Sequence, residues 1–144
     1  MRISYGIAAG LIIIIVAVVA CGPSPNAAAP HPTEQVAWGE QLFGQHCAKC
    51  HGDQGRGTSK APPLVGTDAL PLNPPPTAKH RTTQFHTAAD VFAFVEANMP
   101  ADEPGSLTDD EYAAILAFDL KANGVDLDGK HVDASTAPSF VLHP

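Results

Sequence analysis

Cys47-Ala48-Lys49-Cys50-His51 is the run around which the chain is organised. On a helical turn positions i, i+3 and i+4 share one face, so Cys47, Cys50 and His51 all address a single flat object. A C-x-x-C-H run reads as the covalent attachment site of a c-type haem. Cys47 and Cys50 reach its two vinyl groups as thioethers, and the His51 imidazole reaches the iron. Two other readings of the cysteine pair lack support. A thioredoxin-like dithiol needs a βαβ context, and no β-rich run precedes the motif. A zinc site needs further ligands, yet neither a second cysteine pair nor an H-x-x-x-H follows.

Composition fits this reading. A chain of 144 residues has room for one small domain. A core of that size is marginal alone, and a buried porphyrin adds apolar surface. With 44% hydrophobic residues, 6% aromatics and 14 prolines, an all-α domain with long irregular loops is expected, not a sandwich. A net charge of −7 argues against a nucleic-acid partner, which demands a basic surface.

Upstream, Met1 and Arg2 precede an apolar run from Ile7 to Ala20, which reads as an export signal. Its end, Val18-Val19-Ala20-Cys21-Gly22, resembles the lipobox of bacterial lipoproteins, with Cys21 acylated after removal of residues 1–20. An uncleaved membrane helix is the rival reading, since residues 3–20 are just long enough to span. Either way the domain is expected at the extracytoplasmic, periplasmic face of a membrane. Residues 21–32 follow as a linker, uncharged from Gly22 to Pro32 and carrying four prolines there, which makes a semi-rigid spacer.

The domain itself is expected over residues 33–124. Thr33 caps a helix running from Glu34 to Cys50, on which Gly39 and Phe43 mark a close helix crossing. Six prolines between residues 61 and 77 exclude regular structure there and predict a wrapping loop. Thr87 caps a second helix that ends at Asn98, read as a left-handed terminator. Pro100 then forces Met99 into an extended conformation. Thr108 and Glu111 form a capping box for a third helix, which Asn123-Gly124 stops after Ala122. Residues 125–144 read as an irregular C-terminal tail.

An iron held by His51 has a second axial position, suited to a thioether or an imidazole. Met99 is the sole thioether outside the leader; His46, His80, His86, His131 and His143 are the imidazole alternatives.

Taken together, Gly39, Phe43, the Cys47–Gly52 run, Pro62-Pro63-Leu64, Met99-Pro100 and Leu107 to Gly124 resemble the bacterial class I, mono-haem cytochromes c. The resemblance implies three main helices with long loops wrapping one covalent haem c and its iron. It implies that a carbonyl of Pro62 or Pro63 accepts a hydrogen bond from His51, and that Ile115 and Phe118 meet Gly39 and Phe43. Arg81 and Lys79 are candidates for the haem propionates. The anchor and domain size are also similar to those of lipid-anchored mono-haem subunits of quinol-oxidising complexes such as alternative complex III. A His/Met iron has no open position, so the expected function is one-electron transfer without an organic substrate, in a respiratory or photosynthetic chain, as a free carrier or a subunit. The rival is a haem-based gas sensor or small peroxidase with a labile Met99. Residues 47–86 carry five cations against two acids, and residues 87–133 carry eleven acids against two cations. This asymmetry fits a docking surface for a redox protein partner.

Overall fold

A computed structural model describes residues 31–143; the expected leader, Cys21 and nearly all of the linker lie outside the described residues. The architecture is helical. Helix α1 spans Pro32–His46, α2 Ala48–His51, α3 Ala88–Asn98 and α4 Asp109–Ala122, with short 3-10 turns at Asp53–Gly55 and Ala137–Ser139. No strand occurs among the described residues, only an isolated antiparallel bridge between Thr87 and Val141.

Helix α1 starts two residues earlier than its sequence suggests. Pro32 occupies the first turn, where its missing N–H costs nothing. The Glu34 carboxylate accepts from the His31 N–H at 3.0 Å, so the cap is His31 and not Thr33. The helix also breaks at Cys47 (φ −116°, ψ −37°) instead of running through to Cys50. Hydrogen bonds from Cys50 N (3.1 Å) and His51 N (2.9 Å) to the Cys47 carbonyl restart it, so the three motif residues still occupy one turn. Gly52, at φ +78°, then turns the chain away; a Cβ there would stand 2.8 Å from the Gly57 carbonyl.

Helix α4 is the centre of the molecule. Every residue from Tyr112 to Leu120 is buried, because α1 covers one side and α3 with the C-terminal segment covers the other. Its start is the expected capping box: Glu111 N donates to Thr108 Oγ1 at 3.3 Å, and Thr108 N to the Glu111 carboxylate at 2.8 Å. Its end is a Schellman motif, with Gly124 N bonded to Lys121 O and Val125 N to Leu120 O, both at 3.0 Å. The crossing with α1 is very close at Gly39, where a Cβ would fall 1.8 Å from the Ala114 carbonyl oxygen. Phe43 packs on Phe118 there, ring centroids 5.3 Å apart.

Helix α3 is capped by Thr87 and Asp90 and packs on α4 through Val91 and Phe92. Asn98 is not its left-handed terminator. It stays helical, its side chain bonding back to the Phe94 carbonyl at 2.9 Å, and Met99 is the capping residue. Residues 125–143, expected as an irregular C-terminal tail, pack into the core. Leu127, Val132, Ala137 and Phe140 are buried in the same core as α3 and α4. Gln35 of α1 clamps the segment, accepting from Val132 N at 2.9 Å and donating to Val132 O at 2.7 Å. Ala88 N donates to Phe140 O at 2.9 Å, which ties the same segment to the start of α3.

Candidate functional site

The end of α1 presents Cys47, and α2 presents Cys50 and His51. Both cysteines are free thiols and half-buried. Burial first, then the charges of Asp119 and Cys50, pushes the Cys47 thiol up to about 12. A redox dithiol works through a thiolate whose pKa is lowered, so Cys47 is poorly placed for that chemistry. Nor does a group of three or more His, Cys, Asp or Glu side chains able to hold a metal ion occur among the described residues.

His51 is buried, and its Nδ1 lies 2.9 Å from the Pro62 carbonyl oxygen. A carbonyl only accepts, so Nδ1 carries the proton and Nε2 keeps a lone pair. Of the two prolines singled out, Pro62 makes this contact, while Pro63 packs its backbone against Gly57. The loop that delivers Pro62 is folded back by Gly57 N on His51 O at 2.6 Å and by Leu64 N on Gly55 O at 2.8 Å. Thr58 adds a hydroxyl bond to the Cys50 carbonyl.

Met99 leaves α3 in an extended conformation (φ −125°, ψ 153°), as the following proline requires. Its N–H is held by Val95 O at 2.8 Å, and its carbonyl accepts from the Tyr112 hydroxyl on α4. Lys49 Nζ lies 3.3 Å from Asp102 Oδ2. Both side chains are largely exposed, so the pair adds little stability, but it shows that the loop after Met99 lies beside the cysteine turn. The thiols, an imidazole with a free Nε2 and a thioether on a neighbouring loop make a donor set that fits an attached haem. The alternative imidazoles are otherwise placed: His46, His80 and His86 are exposed, His131 lies against Gln35, and His143 bonds the Leu70 carbonyl.

Arg81 is not a free cation for propionates. Its guanidinium donates to the carbonyls of Pro71, Leu72 and Thr83 and lies 3.4 Å over the Phe85 ring. It is the internal clamp of the proline-rich loop, whereas Lys79 remains exposed. Two contributors have no signal in the sequence: the Tyr112 hydroxyl on Met99, and Asp119, 5% exposed on α4 and pushed up to about 8 by burial.

The family model described as cytochrome c oxidase, cbb3-type, subunit III matches residues 34–118. The chain belongs to this cytochrome c family. As a cytochrome c domain it is a haem-iron electron-transfer module. Among curated relatives, the thiosulfate dehydrogenase of Stutzerimonas stutzeri (strain A1501) is 32% identical over 99 residues, covering 65% of this chain and 29% of the relative. Among solved structures, a chain of the sulfane dehydrogenase SoxCD from Paracoccus pantotrophus shares the fold with a TM-score of 0.57 and 32% identity. That match covers 74% of this cytochrome and 52% of the SoxCD chain. The cytochrome thus spans well under two thirds of the length of either protein.

Proposed function

We propose that this cytochrome is a membrane-tethered one-electron carrier holding a single haem c, attached through Cys47 and Cys50 and ligated by His51 and Met99. The observation that carries the reading is the His51 Nδ1 to Pro62 carbonyl bond, which leaves Nε2 as a ready ligand next to two free thiols. When bound, the haem supplies a ferric/ferrous couple, and a methionine ligand raises its potential. The protein's own work is to hold and shield. Pro62 fixes the imidazole tautomer, Tyr112 and Val95 pin the backbone on either side of Met99, and Pro100 keeps it extended. With His51 and Met99 both engaged there is no position for an organic substrate.

Tethering rests on the lipobox-like Val18–Gly22 run, with Cys21 as the acylated residue and the periplasmic side as the location. The names of the two relatives, both dehydrogenases of sulfur compounds, support a place as the electron-transfer partner or subunit of such an oxidation. Quinol oxidation remains the reading that the anchor alone favours. A pyridine haemochrome of the purified protein tests the attachment: bands of a c-type haem are expected, and bands of a non-covalent haem refute it. Met99→Ala is expected to lower the potential and open the iron to carbon monoxide. If the wild-type reduced protein binds carbon monoxide equally well, the closed-iron reading fails in favour of a gas sensor or peroxidase.

A further inference from the structure

Asn123 closes α4, yet its side chain does more than end a helix. Its Nδ2 donates to the Asp119 carbonyl at 2.8 Å, an ordinary bond within the last turn. The same amide also reaches across the fold: Nδ2 donates to the Leu64 carbonyl at 2.7 Å, and Oδ1 accepts from Gly66 N at 3.0 Å. These two contacts span 59 and 57 residues of sequence, so tertiary packing and not helix capping brings them about. Among the described residues no other hydrogen bond joins residues 62–66 to α4.

Residues 62–66 form the loop that carries the Pro62 carbonyl, the acceptor of the His51 Nδ1 proton. Pro62 and Pro63 have no backbone N–H with which to fix that loop. Its position therefore depends on what holds Leu64, Val65 and Gly66. On one side the Gly55 carbonyl accepts from Leu64 N at 2.8 Å and from Val65 N at 3.1 Å; on the other stands Asn123. At the opposite end of the same helix the Tyr112 hydroxyl, on a residue 2% exposed, donates to the Met99 carbonyl. Tyr112 and Asn123 lie eleven residues apart, about 16 Å of continuous helix.

We propose that Asn123 is a positioning residue for His51, and that α4 holds both axial ligands from its two ends: Asn123 through the Pro62 loop, Tyr112 through the Met99 carbonyl. The inference rests on His51 and Met99 as the ligands of the attached haem. A hydrogen bond from Nδ1 to a carbonyl makes an imidazole the stronger electron donor and favours ferric iron, whereas a methionine ligand raises the potential and favours ferrous iron. The two ends of α4 therefore act on the potential in opposite directions. Loosening the Pro62 loop weakens the His51 bond and raises the potential; loosening Met99 lowers it. A helix buried from Tyr112 to Leu120 suits this task, because neither end shifts without disturbing a close-packed interior.

The test compares full-length haem-loaded wild type with Asn123→Ala, Asn123→Gly and Tyr112→Phe. Two quantities are read: the reduction potential, and the exchange of the His51 Nδ1 proton with solvent, followed by NMR in the reduced protein. Asn123→Ala should speed that exchange by about tenfold, the upper range for loss of one hydrogen bond. It should also raise the reduction equilibrium constant by up to about tenfold, about 59 mV for one electron. Asn123→Gly, which places a residue favoured at helix ends, should do the same without unwinding α4. Tyr112→Phe should leave the His51 exchange at its wild-type rate, lower the potential, and weaken the methionine-to-iron charge-transfer band of the oxidised protein. Wild-type exchange in both Asn123 variants, or potentials that move in one direction in all three, overturns the proposal while leaving the carrier intact. A wild type without the methionine band overturns ligation by Met99, and the two-ended frame with it.

Discussion

Gly39→Ala is expected to destabilise the domain by forcing α1 away from α4. An added Cβ would lie 1.8 Å from the Ala114 carbonyl oxygen, 2.5 Å from its carbon and 3.1 Å from Ile115 N. These are backbone atoms of the most buried helix, so no rotamer change relieves them. Ordinary contact requires α1 to retreat by roughly 1.5 Å, which a close-packed interior resists. Helix propensity favours alanine by about 1 kcal/mol. Against it stand about 1–3 kcal/mol of overpacking and about 0.5–1.5 kcal/mol from loosening the Phe43–Phe118 pair, along with weaker burial of Leu42. A net loss of about 0.5–3.5 kcal/mol is expected, a sizeable part of the stability of a small domain. That corresponds to a fall in Tm of roughly 2–17 °C.

The assay is guanidinium unfolding of the haem-loaded protein, followed by far-ultraviolet circular dichroism. Gly44→Ala supplies the control, because a Cβ there meets nothing within 4 Å on the same helix. It should stabilise by up to about 1 kcal/mol. If Gly39→Ala matches Gly44→Ala, the close crossing is not what holds the two helices, and the reasoning fails.

Gln35→Ala should cost about 2–4 kcal/mol, because it strands the buried Val132 N–H and C=O together; limited proteolysis should then cut within residues 125–143, and resistance equal to wild type would count against the clamp. Asp119 has a raised folded pKa of about 8 against an ordinary 3.8, so the folded state binds its proton more tightly. Its contribution is therefore fully favourable below about pH 4 and is lost as pH rises towards 8. Relative to Asp119→Asn, wild-type stability in urea should decline across that window by a few kcal/mol, and parallel profiles would refute the assignment. Cys21→Ala should release the protein from membranes into the soluble extracytoplasmic fraction; retention would indicate an uncleaved helix.

Much of the site is legible in local sequence because its chemistry is local. The Cys47–His51 spacing, the Thr87 and Thr108 caps and the proline after Met99 each act within about one helical turn, so they read correctly without knowledge of the partners. The interruption at Cys47 is not legible, since it separates two helices whose hydrogen bonds both run through that residue. Arg81 is expected at the haem propionates, yet its carbonyl acceptors come from a loop whose path only the folded chain defines.

By itself, then, the sequence determines an all-α domain, the Cys47–His51 spacing that reads as a haem attachment, and the capped starts of α3 and α4. Tertiary structure alone decides that Pro62 rather than Pro63 orients His51, and that residues 125–143 belong to the core. It also decides that Asp119, one of the eleven acids of residues 87–133, is buried on α4. The reason is range. Caps and spacings are set by neighbours a few residues apart, whereas burial of α4 depends on α1 approaching at Gly39, some eighty residues earlier in the chain.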